Sequence, residues 1–155
     1  DLSEVQYRKN LLGSVSAGSM GMNAHYANMV AAFFVATGQD IAQVSEGALG
    51  VTCIEPRPND SVYVSIFMPD VPLGAIGGGT GLQTQKDALS LMNVSPDSDD
   101  PGMAVMRLTE ILGATVLAGE LSLMSALSSH HLAQAHREMG LASLPTQNVQ
   151  NGMSD

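Results

Sequence analysis

The sequence predicts an α+β fold: helix-rich, with a small antiparallel sheet and one long central helix. Three observations carry that expectation. Residues 49–55 and 61–68 read as two strands separated by the turn-rich run Pro56-Arg57-Pro58-Asn59-Asp60, which favours an antiparallel pair. An apolar stretch ends at Gly38, a residue suited to the left-handed stop of a helix. From Pro101 onward, apolar residues recur at helical spacing over the longest uninterrupted stretch of the chain.

Taken in order, residues 1–21 hold the basic pair Arg8-Lys9 and the run Gly13-Ser14-Val15-Ser16-Ala17-Gly18-Ser19. Small residues at that density let a backbone pass close to another chain or a ligand. Residues 23–37 are expected to form a helix, with Val30, Phe33, Phe34 and Thr37 on one face. In the second strand Val62, Val64, Ile66 and Met68 share a face. A glycine-rich loop, residues 74–81, leads into a short helix around residues 82–92, and residues 93–100 form an acidic loop. Asp99 or Asp100 then caps a helix whose first turn contains Pro101. Running to about Met139, that helix would span roughly 57 Å at 1.5 Å per residue. Gly113 and Gly119 inside it imply close packing against another element, or a break near Ala118. Residues 1–140 are expected to form one structured unit, and the polar tail 141–155, with Pro145 and Gly152, to be disordered.

Composition limits the function. With 155 residues and 45% of them hydrophobic, the chain can bury a core. The net charge is −9, and the bases are only Lys9, Lys86, Arg8, Arg57, Arg107 and Arg137. Such a surface repels polyanions, so nucleic acid is not an expected partner. The richest apolar run, residues 29–37, is about half what a bilayer requires, so no membrane segment or leader is expected. A lone cysteine, Cys53, excludes an internal disulfide and fits a reducing compartment, hence a cytoplasmic location. His130, His131 and His136 do not share a helical face, and no cysteine or carboxylate completes a ligand set, so a metal site is not expected. The loop Gly77-Gly78-Gly79-Thr80-Gly81 departs from G-x-G-x-x-G, so it is no Rossmann fingerprint.

The block Lys9-Asn10-Leu11-Leu12-Gly13-Ser14, then Ala17-Gly18-Ser19, Asn23-Ala24-His25-Tyr26-Ala27-Asn28 and Ala36-Thr37-Gly38-Gln39-Asp40-Ile41-Ala42-Gln43, is more specific than any single motif. With the glycine loop and the run Gly119-Glu120-Leu121-Ser122-Leu123-Met124 to His131, it resembles the 3-hydroxy-3-methylglutaryl-coenzyme A reductase family, in the form of archaea and eukaryotes. The similar region is the later part of the family's large, substrate-binding and dimerising catalytic domain.

That resemblance implies a set of roles. Lys9 binds the carboxylate of the hydroxymethylglutaryl group, a task suited to a compact ammonium. Asn28 hydrogen-bonds within the catalytic cluster and His25, on the same helical face, lies close to it. Asp40 is the catalytic aspartate, working with a lysine and a glutamate. Two neighbouring carboxylates cannot both ionise cheaply, so one retains a proton and serves as acid, while the lysine stabilises the developing oxyanion. His131 protonates the departing coenzyme A thiolate. Gly77, Gly78, Gly79 and Thr80 lie near the substrate and the cofactor, NADPH. The substrate is hydroxymethylglutaryl-CoA, reduced to mevalonate and free CoA by two hydride transfers in a homo-oligomer whose site spans a subunit interface.

The partner glutamate, the catalytic lysine and the small NADPH-binding domain precede the matching segment in the family, so this chain alone is expected to be inactive. The other reading is a non-catalytic substrate-binding or dimerisation module that needs another chain to complete its site. The apolar row of Met103, Met106, Leu108, Ile111, Leu112, Leu117, Leu121, Met124 and Leu127 would serve such a module.

Overall fold

A computed structural model describes residues 2–94 and 100–129. Helical structure dominates from the start: α1 (Leu2–Val5), a π-helical stretch Gln6–Gly13 and α2 (Ser14–Ser16) follow one another without interruption. From the sequence alone, residues 1–21 carry no assigned secondary structure. Gln6 fastens the segment to strand backbone, donating to Thr52 O at 3.0 Å and accepting from Ile54 N at 3.3 Å.

Next come α3 (Tyr26–Thr37), a 3₁₀ turn Ile41–Gln43, α4 (Val44–Gly47), strands β1 (Val51–Arg57) and β2 (Ser61–Phe67), a 3₁₀ turn Gly78–Gly81, α5 (Gln83–Leu91) and α6 (Pro101–Ser128). The strands pair antiparallel, Val51 opposite Phe67 and Arg57 opposite Ser61. Asn59 and Asp60 make the turn at φ of 60° and 53°, a conformation these short polar side chains tolerate. On its other edge β1 receives Met22, with Met22 N donating to Gly50 O at 2.8 Å and Thr52 N to Met22 O at 3.1 Å. Together Met22 and Gln6 cover an edge that would otherwise expose unpaired backbone. The face of β2 is graded: Val64 and Ile66 are half-buried, while Val62 is exposed.

The core lies between α3, α5 and α6. It contains Tyr26, Val30, Phe33 and Phe34 from α3, Leu89 from α5, and Ala104, Leu108, Leu112 and Val116 from α6. The buried row on α6 keeps a four-residue spacing from Ala104 through Leu108, Leu112, Val116 and Glu120 to Met124. That spacing follows the helical period. Asp100 caps α6 by accepting from Met103 N at 3.1 Å, with Pro101 in the first turn, as the sequence leads one to expect.

Two expectations about α6 change. It ends at Ser128, with Ser129 as its C-cap, short of Met139. It also runs through Ala118 unbroken. Gly119 serves close packing, since a Cβ there would lie 2.7 Å from Met29 Sδ and 3.2 Å from His25 Cε1. A Cβ on Gly113 would meet nothing within 4 Å. The stretch Gly102–Ser128 is long and apolar enough to cross a membrane, with a mean hydropathy of 1.5, contrary to the expectation of no such segment. Length and composition alone decide that test, and here the helix forms one wall of the core. The acidic loop (except residues 93, 94 and 100), the chain beyond Ser129 and the proposed tail 141–155 lie outside the described residues.

Two substitutions on α6 should move stability in opposite directions. Leu108→Ala empties a fully buried site and is expected to cost ~2–5 kcal/mol. Gly113→Ala fills open space inside a helix and is expected to add up to ~1 kcal/mol. Urea unfolding of the two variants beside the parent checks both signs.

Candidate functional site

The residues singled out in the sequence gather at the two ends of α3. At its C-terminal end the helix stops because Gly38 adopts φ 73°, with its N–H and that of Gln39 both returning to Phe34 O. Gly79 N then donates to Gly38 O at 3.0 Å. A Cβ on Gly38 would fall inside the Gly79 backbone, so glycine is required there twice over. Gln39 adds a clamp, donating to Gly74 O at 2.9 Å and accepting from Gly74 N at 2.8 Å.

These contacts bring Asp40 beside the glycine loop. Both line a cleft of about 280 Å³ that also includes Gln43, Gly77, Gly78 and Thr80. Asp40 is exposed; one carboxylate oxygen accepts from Ala42 N at 3.0 Å, capping the 3₁₀ turn. Thr80 is buried, its hydroxyl donating to Gly77 O at 2.6 Å. Gly77 has open space around the position of a Cβ.

At the N-terminal end, α3 begins at Tyr26 rather than Asn23. Residues 23–25 form an entry turn, most of whose polar groups are engaged. Asn23 Oδ1 accepts from Tyr26 N at 3.1 Å, while its amide donates to Ala48 O and Gly50 O. The N–H groups of Ala24 and His25 donate to the two carboxyl oxygens of Glu120, at 2.8 and 2.7 Å. Glu120 is fully buried. Its Oε2 also lies 2.6 Å from Thr52 Oγ1, which is 3.1 Å from Tyr26 Oη. A carboxylate only accepts, so the single Thr52 proton goes to Glu120 and the Thr52 oxygen accepts from Tyr26. Burial, and to a smaller degree the Glu120 charge, push the Tyr26 phenol well above its usual value, against the opposing hydrogen bond with Thr52.

His25 Nε2 lies 2.8 Å from Gly119 O. A carbonyl only accepts, so the proton is on Nε2, and Nδ1 is buried without a partner among the described residues. Lys9 is carried on the π-helical stretch, exposed, and donates to Ala24 O at 2.9 Å. An ammonium has three donors, so two remain for another acceptor. Asn28 is exposed in the first turn of α3. Beside this turn lies a second cleft of about 310 Å³, lined by Ser14, Ser19, Asn23, His25 and Ser45 among others.

Lys9, His25 and Asn28 thus come together at one end of α3, and Asp40 with Gly77, Gly78, Gly79 and Thr80 at the other. The twelve-residue helix between His25 and Gly38 is roughly 18 Å long. His131, with His130 and His136, lies outside the described residues. Among the described residues no group of three histidine, cysteine or acidic side chains is placed to hold a metal ion. Glu120 and Gln39 were not singled out from sequence. The signal for Glu120 was one acid standing in the apolar row of α6.

A model of the hydroxymethylglutaryl-coenzyme A reductase family matches residues 1–141. The chain belongs to that family. It is 54% identical over 137 residues to the 3-hydroxy-3-methylglutaryl-coenzyme A reductase of Methanothermobacter thermautotrophicus, which covers 88% of this chain and 33% of that protein. Against the reductase of Pyrococcus abyssi the identity is 50% over 139 residues, or 90% of this chain and 34% of the other. Against that of Fusarium fujikuroi it is 44% over 155 residues, 99% of this chain and 16% of the other. The chain therefore spans about a third of the length of the archaeal relatives it matches.

Gly38→Ala should separate the two parts of the Asp40 cleft. The left-handed conformation alone costs an alanine on the order of 1–3 kcal/mol, and the clash with Gly79 adds to it. A lowered denaturation midpoint, with faster proteolysis of the glycine loop, is the expected result.

Proposed function

We propose that this chain is the later part of the catalytic region of an NADPH-dependent reductase that converts hydroxymethylglutaryl-CoA to mevalonate and free CoA by two hydride transfers. The observation that carries the reading is the joining of Asp40 to the glycine loop through Gly38 and Gly79, within a chain of this family. The named archaeal and fungal relatives are all 3-hydroxy-3-methylglutaryl-coenzyme A reductases.

The Asp40 cleft fits part of the cofactor. Its lining holds Asp40, Gln39, Gln43 and glycine backbone, and no lysine or arginine among the described residues. An uncharged, amide-bearing ring suits such a lining better than phosphates do. Gly77 and Gly78, lacking side chains, would let that ring approach the backbone. When bound there, NADPH supplies the hydride equivalents.

The protein's own groups would then act as follows. Lys9, held at Ala24 O, offers its remaining donors to the substrate's free carboxylate. Asn28 and His25 border the same end of the helix. Asp40 would hold charged a lysine that this chain does not supply, which stabilises the developing oxyanion of the thioester carbonyl, and would keep a neighbouring glutamate protonated to serve as acid. A histidine of the segment beyond Ser129, His131 by the resemblance, protonates the departing thiolate. Because the two groups of residues are separated by the length of α3, a site that uses both is best completed across a homo-oligomer interface. The enzyme would work in the cytoplasm.

In the full-length enzyme, Asp40→Asn is expected to lower kcat by ~10²–10⁴-fold with little change in substrate affinity. NADPH absorbance with hydroxymethylglutaryl-CoA follows the rate. His130→Ala, His131→Ala and His136→Ala, made singly, identify the thiolate's proton donor as the variant that accumulates hemithioacetal without releasing thiol. Full activity in Asp40→Asn would favour the non-catalytic module instead.

A further inference from the structure

The row that α6 buries is apolar except at Glu120. Val116 precedes it by one turn and Met124 follows it by one turn. A leucine or methionine would fill this place without the cost of removing a carboxyl group from water. The acid must therefore be explained by its three donors. Thr52 Oγ1 is one; Ala24 N and His25 N, consecutive peptide groups of the entry turn, are the others.

The His25 N–H belongs to the same planar amide as the Ala24 carbonyl. Glu120 Oε1 accepts from the nitrogen end of that plane at 2.7 Å, and Lys9 Nζ donates to the oxygen end at 2.9 Å. The carboxyl group and the ammonium thus grip opposite edges of one peptide. Negative charge at the N–H polarises the amide and makes its oxygen a better acceptor for Lys9. The neighbouring Gly119 carbonyl takes His25 Nε2–H, so residues 119 and 120 fix both the backbone and the ring of His25. Gly119 permits this because its missing side chain lets α6 approach Met29 and His25.

We propose that Glu120 is a positioning residue: through the Ala24–His25 peptide it sets the place of the Lys9 ammonium, and with it the binding of the substrate's carboxylate. This rests on the reading of Lys9 as a substrate-binding residue. Glutamine at position 120 keeps the shape but turns an N–H₂ donor toward at least one peptide or hydroxyl donor. The peptide plane is then released, and Lys9 loses its fixed anchor.

The test is a double-mutant cycle in the full-length enzyme, with Glu120→Gln, Lys9→Met and the pair, read as KM and kcat separately. Leu89→Ala, a truncation in the core, controls for lost stability. Glu120→Gln is expected to raise KM for hydroxymethylglutaryl-CoA about tenfold, the loss of roughly one charge-assisted hydrogen bond. kcat should change less than about threefold, and in the Lys9→Met background the same substitution should change KM less than about twofold. Leu89→Ala should lower Tm without raising KM. Should Glu120→Gln not accumulate, Glu120→Asp enters the same cycle, since its shorter reach cannot hold both peptide N–H groups. Equal effects of the Glu120 change with and without Lys9 overturn the proposal, as does an unchanged KM in the Glu120 variant while Lys9→Met raises it. The latter leaves the substrate reading intact. Lys9→Met without effect on KM overturns that reading and the proposal together.

Discussion

A carboxyl group shut away from water must be given hydrogen-bond donors, and the fold around Glu120 is arranged to supply them. The donors come from the entry turn of α3 and from β1, so one side chain of α6 joins three parts of the chain. Much else follows from this. Helix α3 starts at Tyr26, because His25, at φ −164° and ψ 39°, lies outside the helical region and Asn23 Oδ1 accepts from Tyr26 N. A negative group lies where the N-terminal end of the α3 dipole favours one. The α6 backbone must come close enough for the carboxyl group to reach, which is what Gly119 allows. Thr52 and Tyr26 complete the arrangement by passing one hydroxyl bond to the next.

The other end of α3 obeys a different constraint, backbone against backbone. Gly38 ends the helix and accepts from Gly79 at a separation that leaves no room for a side chain. Gln39 reinforces the contact with a two-point bond to Gly74. Here the geometry depends on the absence of atoms, whereas at the first end it depends on an added charge. Both devices fix a loop to a helix terminus without relying on the loop's own propensity. Loops so held can present polar groups at defined positions, as a binding site requires.

What the sequence disclosed follows from how local each cause is. Gly38 as a helix stop, Asp100 and Pro101 as a helix start, and the hairpin around Asn59 and Asp60 rest on neighbours within a few residues, and they were legible. The paired strands were likewise readable from their alternation. The helical character of residues 2–16 was not, because Gly13, Ser14 and Ser16 are weak helix formers and the segment is also held against a strand some 46 residues away through Gln6. The start of α3 reads three residues early in the sequence, because Asn23 caps the turn at Tyr26 N instead of opening the helix. Lys9, His25, Asn28 and Asp40 were found through the resemblance. Glu120, which bonds the Ala24 and His25 peptide groups, stood within the matching run from Gly119 to Met124 but was given no role there.

The separation of the two groups along α3 has an electrostatic consequence. Lys9 and Asp40 are oppositely charged and exposed, and side by side they would pair and satisfy each other. A helix of roughly 18 Å lies between the turn that anchors Lys9 and the loop of Asp40, and over such a length, about two Debye lengths at physiological ionic strength, attraction between exposed charges is largely screened. Each therefore keeps unused hydrogen-bonding capacity: two ammonium protons on Lys9, and the second carboxylate oxygen of Asp40. Among the described residues that line its cleft, no lysine or arginine competes for Asp40. The fold thus holds two opposite charges apart, each with hydrogen-bonding capacity left for another group.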